Sequence, residues 1–367
     1  MNEPESINAS HRDYDRRNPE VALFSHCREW TDIFPWLRLG RLMRLVGSPS
    51  LILMVSLTLL IWHQGAAWIL QDGFRHRIHV DHLDQSVSSN VRVITQLFKF
   101  AYQTNPSSML LFGDRLFSFQ WIAAAVWTVV VWLLPALVMI RQGISVTAGR
   151  GLESLSVSCR LSYGRSLPAI FSVLITIAGP LTISLVIWMV SLIQAQMPLN
   201  SFITWPFALL VVLLSLMGGT LVFSSYFALP LSFAAIVAEP HPDSFDAVSR
   251  GYESCLRRPL NLLGYLVVTL FLLTTVFLIA CGIGWCAEQL IGVAYGNSRQ
   301  SGQLFLQQAS ICLSLLPSAF VATIGWGAVG ALYLLLRKDA CEQEIEDIWV
   351  PAIAKAVAIP ELKWSDE

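Results

Sequence analysis

Three histidines recur at every third position in "RHRIHVDHLD", residues 75–84, and their types and spacing most invite chemistry. His76, His79 and His82, with Asp81 and Asp84 beside them, are the side chains that hold zinc or a similar divalent ion. Three residues of α-helix turn through only ~300°, so on a helix the imidazoles would fan across a face rather than converge on one ion. Arg75 and Arg77 would also repel a cation. A solvated or headgroup-contacting loop is the better reading, and neither a metal nor a cofactor is expected. A second pattern, "GWGAVG" at residues 325–330, matches a dinucleotide fingerprint, but that fingerprint needs a preceding strand and a helix start open to water. This copy lies inside an apolar run. Thr323, Gly327 and Ala331 instead place small residues at i,i+4, the spacing that lets membrane helices approach closely, and they are read as helix-packing residues.

Acidic and basic residues gather in "DSFDAVSRGYESCLRR", residues 243–258, and Glu342, Glu344, Glu346 and Asp347 follow the last apolar run. Phe245, Val248, Tyr252 and Leu256 are three or four apart and would share one helical face. Asp243 can cap the helix start, while Asp246 with Arg250 and Glu253 with Arg257 are i,i+4 pairs. The pattern predicts a short amphipathic helix at a membrane surface, with Asp246, Arg250 and Arg257 as docking candidates for a protein partner. HExxH, GxSxG, P-loop and paired CxxC motifs are all absent, so the chain reads as non-enzymatic. The seven cysteines fall within or beside apolar runs or on what charge places as the reducing side, and read as packing residues rather than bridges.

The elements that must carry these residues follow from composition. The chain is 54% hydrophobic and 13% charged, against roughly 25% charged in soluble domains, and its mean hydropathy is +0.58. Apolar runs long enough to cross ~30 Å of hydrocarbon lie near 50–70, 118–140, 167–194, 204–229, 260–284 and 310–336. The expected fold class is therefore all-α, a polytopic membrane protein of about six transmembrane helices with amphipathic interfacial helices. A kink is expected near Gly218, Gly219 or Pro230. Placing both termini and the second and fourth connections on one side collects eighteen of the 24 Lys and Arg there, which makes that side cytoplasmic. The first apolar run begins too far in for a cleavable signal peptide. A net charge of −1 gives no basic excess for nucleic acid.

The organisation expected is a disordered tail at 1–28, an interfacial helix at 29–48, a six-helix membrane domain at 49–337 and an acidic cytoplasmic tail at 338–367. The interfacial helix would set Trp30 and Trp36 at headgroup level and Arg38, Arg41 and Arg44 toward anionic lipid. Within the membrane domain lie an external loop, 71–117, and cytoplasmic amphipathic segments at 148–165 and 243–258. Setting Glu153 against Asp246 brings Ser156 over Ser249, Arg165 over Arg258 and Leu167 over Leu260, so the chain reads as three units, each an amphipathic segment followed by a hairpin. The inner parts of spans two to six carry no ionisable residue and the first carries only His63, which disfavours a coupled pump or voltage sensor. Hydroxyls at Thr176, Thr220, Ser224 and Ser225 are left as a path for a solute.

"FPWLRLGRLMRL", "DSFDAVSRGYESCLRRP" and "LLLRKDACEQEIEDIW" resemble segments of a group of uncharacterised bacterial multi-pass membrane proteins. More distantly, the layout is similar to the membrane domain attached to some glycerophosphodiester phosphodiesterases, without their soluble catalytic domain. The resemblance implies a bacterial cytoplasmic (inner) membrane and supplies no substrate. The expected function is a non-enzymatic scaffold or accessory subunit of a membrane complex, touching the lipid bilayer, its anionic headgroups and an unidentified cytoplasmic protein. The alternative is a passive or externally energised permease for a small neutral or amphipathic solute.

Overall fold

The computed structural model describes residues 34–70, 119–196, 201–240, 243–295, 313 and 315–341, and among them the elements are all helical. A 3-10 segment, Pro35–Leu42, leads into α1 (Met43–Val46) and α2 (Pro49–Leu70). There follow α3 (Phe119–Thr147), α4 (Leu155–Gly164), α5 (Ser166–Ala195), α6 (Ser201–Ala238), α7 (Ser244–Arg257), α8 (Pro259–Tyr295) and α9 (Leu316–Cys341). Six of these, α2, α3, α5, α6, α8 and α9, are long and apolar enough to cross a membrane. The chain is a multi-pass α-helical membrane protein.

Each expected apolar run seeds one span; α2 and α5 end where their runs do, but α3, α6, α8 and α9 end later. α3 continues beyond residue 140 to Thr147 and carries Arg141 and Gln142 inside it, fully buried. α6 runs unbroken through Pro206 and Pro230. α9 reaches into the stretch expected as a tail. The reason is backbone chemistry: a helix near a bilayer keeps its carbonyls bonded until polar partners can take over, whatever its side chains do.

Three hairpins pair α2 with α3, α5 with α6 and α8 with α9, and the second helices α3, α6 and α9 touch one another at the centre. Small residues set how closely they pack. A Cβ added to Gly143 would lie 2.0 Å from the Gly327 carbonyl oxygen, and one on Gly330 would lie 2.5 Å from that of Ile140, so α3 and α9 meet backbone to backbone. Thr323, Gly327 and Ala331 are all buried on α9, and Gly327 also receives the Leu45 side chain of α1.

The amphipathic segments sit at one end of the bundle and form a collar. α4 packs on α3 and α7 on α6, each on the inner helix of the hairpin before it; the 3-10 segment with α1 packs on α9, the last inner helix, and so closes the ring. The shift that sets Glu153 against Asp246 matches burial over 156–164, though not at Ser154 and Ala247 or at Arg165 and Arg258, where one member is buried and the other exposed. Ser158 and Gly251 are both buried, as are Ser162 and Cys255, while Arg160 and Glu253, and Tyr163 and Leu256, all face out.

One expectation about faces is overturned, in the first segment. On α7 the residues seated on the bundle are Ala247, Val248, Gly251 and Cys255, while Phe245 and Leu256 of the apolar stripe are 71% and 67% exposed. Close approach decides this, since a Cβ on Gly251 would lie 2.4 Å from the Ala228 carbonyl oxygen of α6. In the first segment, Arg38 is buried and Arg41 donates from Nη1 to the Thr147 carbonyl oxygen at 3.2 Å, leaving only Arg44 and Trp36 exposed as expected. A 3-10 helix stacks positions three apart, so Leu39 and Leu42 form one buried strip and Arg38 and Arg41 the strip beside it, drawn inward with them. Trp30 lies outside the described residues.

Candidate functional site

Most charged side chains of the described region, His63 and Glu288 apart, gather at the collar, and the first cluster joins α3 to α4. α3 ends at Gly149, whose φ of 81° turns the chain back while the Arg150 N–H donates to the Ser145 carbonyl oxygen at 2.9 Å. That reversal brings Glu153 over the last turns of α3. Arg141, 1% exposed, donates from Nη2 and Nε to Glu153 Oε1 at 3.0 and 3.2 Å. Ser145 Oγ donates to Glu153 Oε1 at 3.0 Å and Ser158 Oγ to Oε2 at 3.2 Å. Gln142 completes the wrap: its Nε2 donates to the Glu153 carbonyl oxygen at 2.8 Å, and its Oε1 accepts the Glu153 N–H at 3.1 Å. A buried charge held this way costs ~3–5 kcal/mol if its partner is removed, because the survivor is left without compensation.

The second cluster joins α6, α7 and α9 with the charges arranged differently. Glu239, just past the end of α6, accepts from Arg250 of α7 and from the Tyr333 hydroxyl of α9, the latter at 2.7 Å. Arg250 pairs also with Asp246 at 2.8 Å, and Glu253 with Arg257 at 2.9 Å. Asp243 caps α7 by accepting the Phe245 N–H at 3.2 Å. Partial burial works against the Arg250 charge, but Glu239, helped by Tyr333 and Asp246, outweighs it and holds the guanidinium's pKa above its ordinary value. Of the three docking candidates, Arg250 is thus tied into the bundle, while Asp246 and Arg257 stay about half exposed.

Cations also close the carbonyl ends of the inner helices, where four C=O groups lack intrahelical partners. Arg41 reaches Thr147 on α3, and Arg165 reaches the Ile236 carbonyl oxygen on α6. Burial, then the neighbouring Arg141, lowers the Arg165 pKa to about 10, with Glu239 opposing them. On α9, Asp339 accepts from Asn261 Nδ2 at 2.9 Å and from the Tyr265 hydroxyl at 2.8 Å, which ties the start of α8 to the end of α9.

These clusters join helices to one another. Each clustered carboxylate is met by a guanidinium, hydroxyl or amide donor, and among the described residues no three His, Cys, Asp or Glu side chains are grouped to hold a metal. Burial pushes the Cys255 thiol up to about 12, so at neutral pH it is no nucleophile. His76, His79 and His82 lie outside the described residues, as do Glu342, Glu344, Glu346 and Asp347. The hydroxyls of Thr176, Thr220 and Ser225 donate to carbonyl oxygens one turn earlier on their own helices, at 2.8, 2.9 and 2.6 Å, the way lipid-embedded hydroxyls are satisfied. An opening between α3, α5, α6 and α9, with Thr128, Trp132, Phe233 and Trp326 on its walls, has about 20 Å³ of room, on the scale of one water molecule.

Sequence reasoning missed Arg141, Gln142, Glu239 and Tyr333. A basic residue at the edge of an apolar run looks like a topological flank, and only the twelve-residue return to Glu153 could have signalled a pair. Comparison with protein-family models, curated proteins and solved structures finds no match.

Proposed function

We propose that this chain is a non-enzymatic scaffold or accessory subunit of a membrane complex, set in a bacterial inner membrane with the collar and both termini on the cytoplasmic side. The observation that carries the reading is the division of labour on α7. Its inward charges, Asp246 and Arg250, lock to Glu239 and hence to α9, while Phe245, Leu256 and the Glu253–Arg257 pair face out. An inward face fixed by ion pairs and an outward face of aromatic, aliphatic and charged groups is the composition of a docking surface on a rigid frame.

The test is extraction from the native membrane in mild detergent, followed by native mass measurement. Wild type should carry a stoichiometric partner, and Glu253→Lys with Arg257→Glu, changed together so that the local pair survives inverted, should release it without lowering thermal stability. Unchanged co-purification, or a chain that comes out alone from wild-type membranes, overturns the reading. Arg250 is unsuited to this test because its substitution would also loosen the frame.

A further inference from the structure

α4 carries one cation on its outward face and no acid to match it. Its exposed residues Ser156, Val157, Arg160 and Tyr163 recur at helical spacing along one side, and Arg160 is the one charged residue between Leu155 and Gly164. Glu153, the nearest acid in sequence, is turned inward and held by Arg141. Immediately beyond α4 the exposed surface becomes wholly apolar: Leu167, Ile170, Phe171 and Leu174 of α5 all face outward at the start of a span. Tyr163 is 73% exposed and sits at that seam.

We infer that the outward face of α4 lies at the bilayer boundary and binds the headgroup of an anionic glycerophospholipid, Arg160 and the Ser156 hydroxyl meeting the phosphodiester and Tyr163 anchoring at headgroup depth. Three features meet in this assignment. The face is continuous with the lipid-facing surface of α5, which fixes its level relative to the hydrocarbon. A guanidinium matches phosphate oxygens with two parallel donors. An amphipathic aromatic beside the apolar edge is what the interface favours. The corresponding position on α7 is Glu253, paired with Arg257, so that face offers a phosphate no net charge. The inference rests on the surface of α4 alone and stands whether or not a protein partner docks on α7.

The full-length protein, reconstituted in nanodiscs holding equal phosphatidylglycerol and phosphatidylcholine, would be transferred to mild detergent and its retained lipids counted by native mass spectrometry. Wild type should retain phosphatidylglycerol over phosphatidylcholine, Arg160→Gln should lower that preference about fivefold, the effect of one basic residue at an anionic surface, and Arg160→Lys should recover most of it. Ser249→Ala, at the α7 position matching Ser156, should leave the preference within about twofold, because the neighbouring charges there are already paired. Equal retention of the two lipids by wild type, an unchanged preference in Arg160→Gln, or a second protein chain in place of lipid overturns the assignment. Arg160 is exposed, so its variants fold and each result reads on lipid.

Discussion

The joint between α3 and α4 and the joint between α6 and α7 bury matching positions yet handle charge in opposite ways. At the first, the inner helix supplies the cation, Arg141, and the connection supplies the acid, Glu153. At the second, the acid Glu239 follows the inner helix and the collar helix supplies Arg250. Packing by small residues recurs because it depends only on backbone approach, whereas the direction of the ion pair is free to differ. The difference has a use. α4 seated on α6 would bring Glu153 toward Glu239, and α7 seated on α3 would bring Arg250 toward Arg141, so like-charge repulsion disfavours both wrong dockings.

The sharpest way to break this comparison is to remove each cation. Arg141→Met should destabilise the folded protein by ~3–5 kcal/mol, since it strands Glu153 in a largely buried site. Arg250→Met, at a side chain 43% exposed, should cost on the order of 1 kcal/mol after solvent screening. Thermal unfolding in detergent measures both, and equal losses would mean that the two joints are not electrostatically distinct. The packing half is tested next: Gly251→Ala should cost ~1–3 kcal/mol by overpacking α7 against α6, whereas Ser158→Ala at the matching site overpacks nothing and instead loses the hydrogen bonds to Glu153 Oε2 and from Gln142 Nε2, ~2 kcal/mol. A Gly251→Ala protein as stable as wild type would show that α7 is not seated on the α6 backbone.

A smaller effect concerns Cys255, whose thiol pKa is raised by burial from 9.0 to about 12. A raised folded-state pKa means that the native protein holds its proton longer than the unfolded chain does, so the contribution is complete below pH 9 and is lost as pH climbs toward 12. Stability should fall between pH 9 and 10 and the fall should flatten in Cys255→Ala. Arg165, lowered to about 10, begins to lose its proton in the native state within this window while the unfolded chain keeps its own, so it adds a smaller slope of opposite sign, which Cys255→Ala leaves in place. Smallest of all, Arg257→Ala should change stability by less than about 0.5 kcal/mol, because its pair with Glu253 is exposed on both sides.

The legible part of the fold was the part governed by local chemistry. Six apolar runs gave six spans, and the Asp243 cap and the i,i+4 pairs of α7 follow from spacing alone. What resisted was anything decided by a distant backbone. Which face of α7 seats on α6 follows from Gly251, which comes nearer to the α6 backbone than any large apolar residue allows, and nothing local marks it. Arg38 and Arg41 looked like lipid contacts until a 3-10 turn stacked them beside the buried leucines. Arg141 carried the same sequence signal as Arg44, and only the return of Glu153 separates a buried pair from a flank. For the candidate site, the i,i+4 pairs of α7 were legible from spacing, but nothing local distinguishes Arg250, held by Glu239, from Arg257, which is not.

The closing contact of the ring has a consequence in time. Leu45 precedes the six spans in the chain, yet its seat beside Gly327 belongs to the last of them, so during synthesis the first segment can rest on α3 but Leu45 has no glycine to enter until α9 is made. The collar is therefore complete only once the final hairpin is in place.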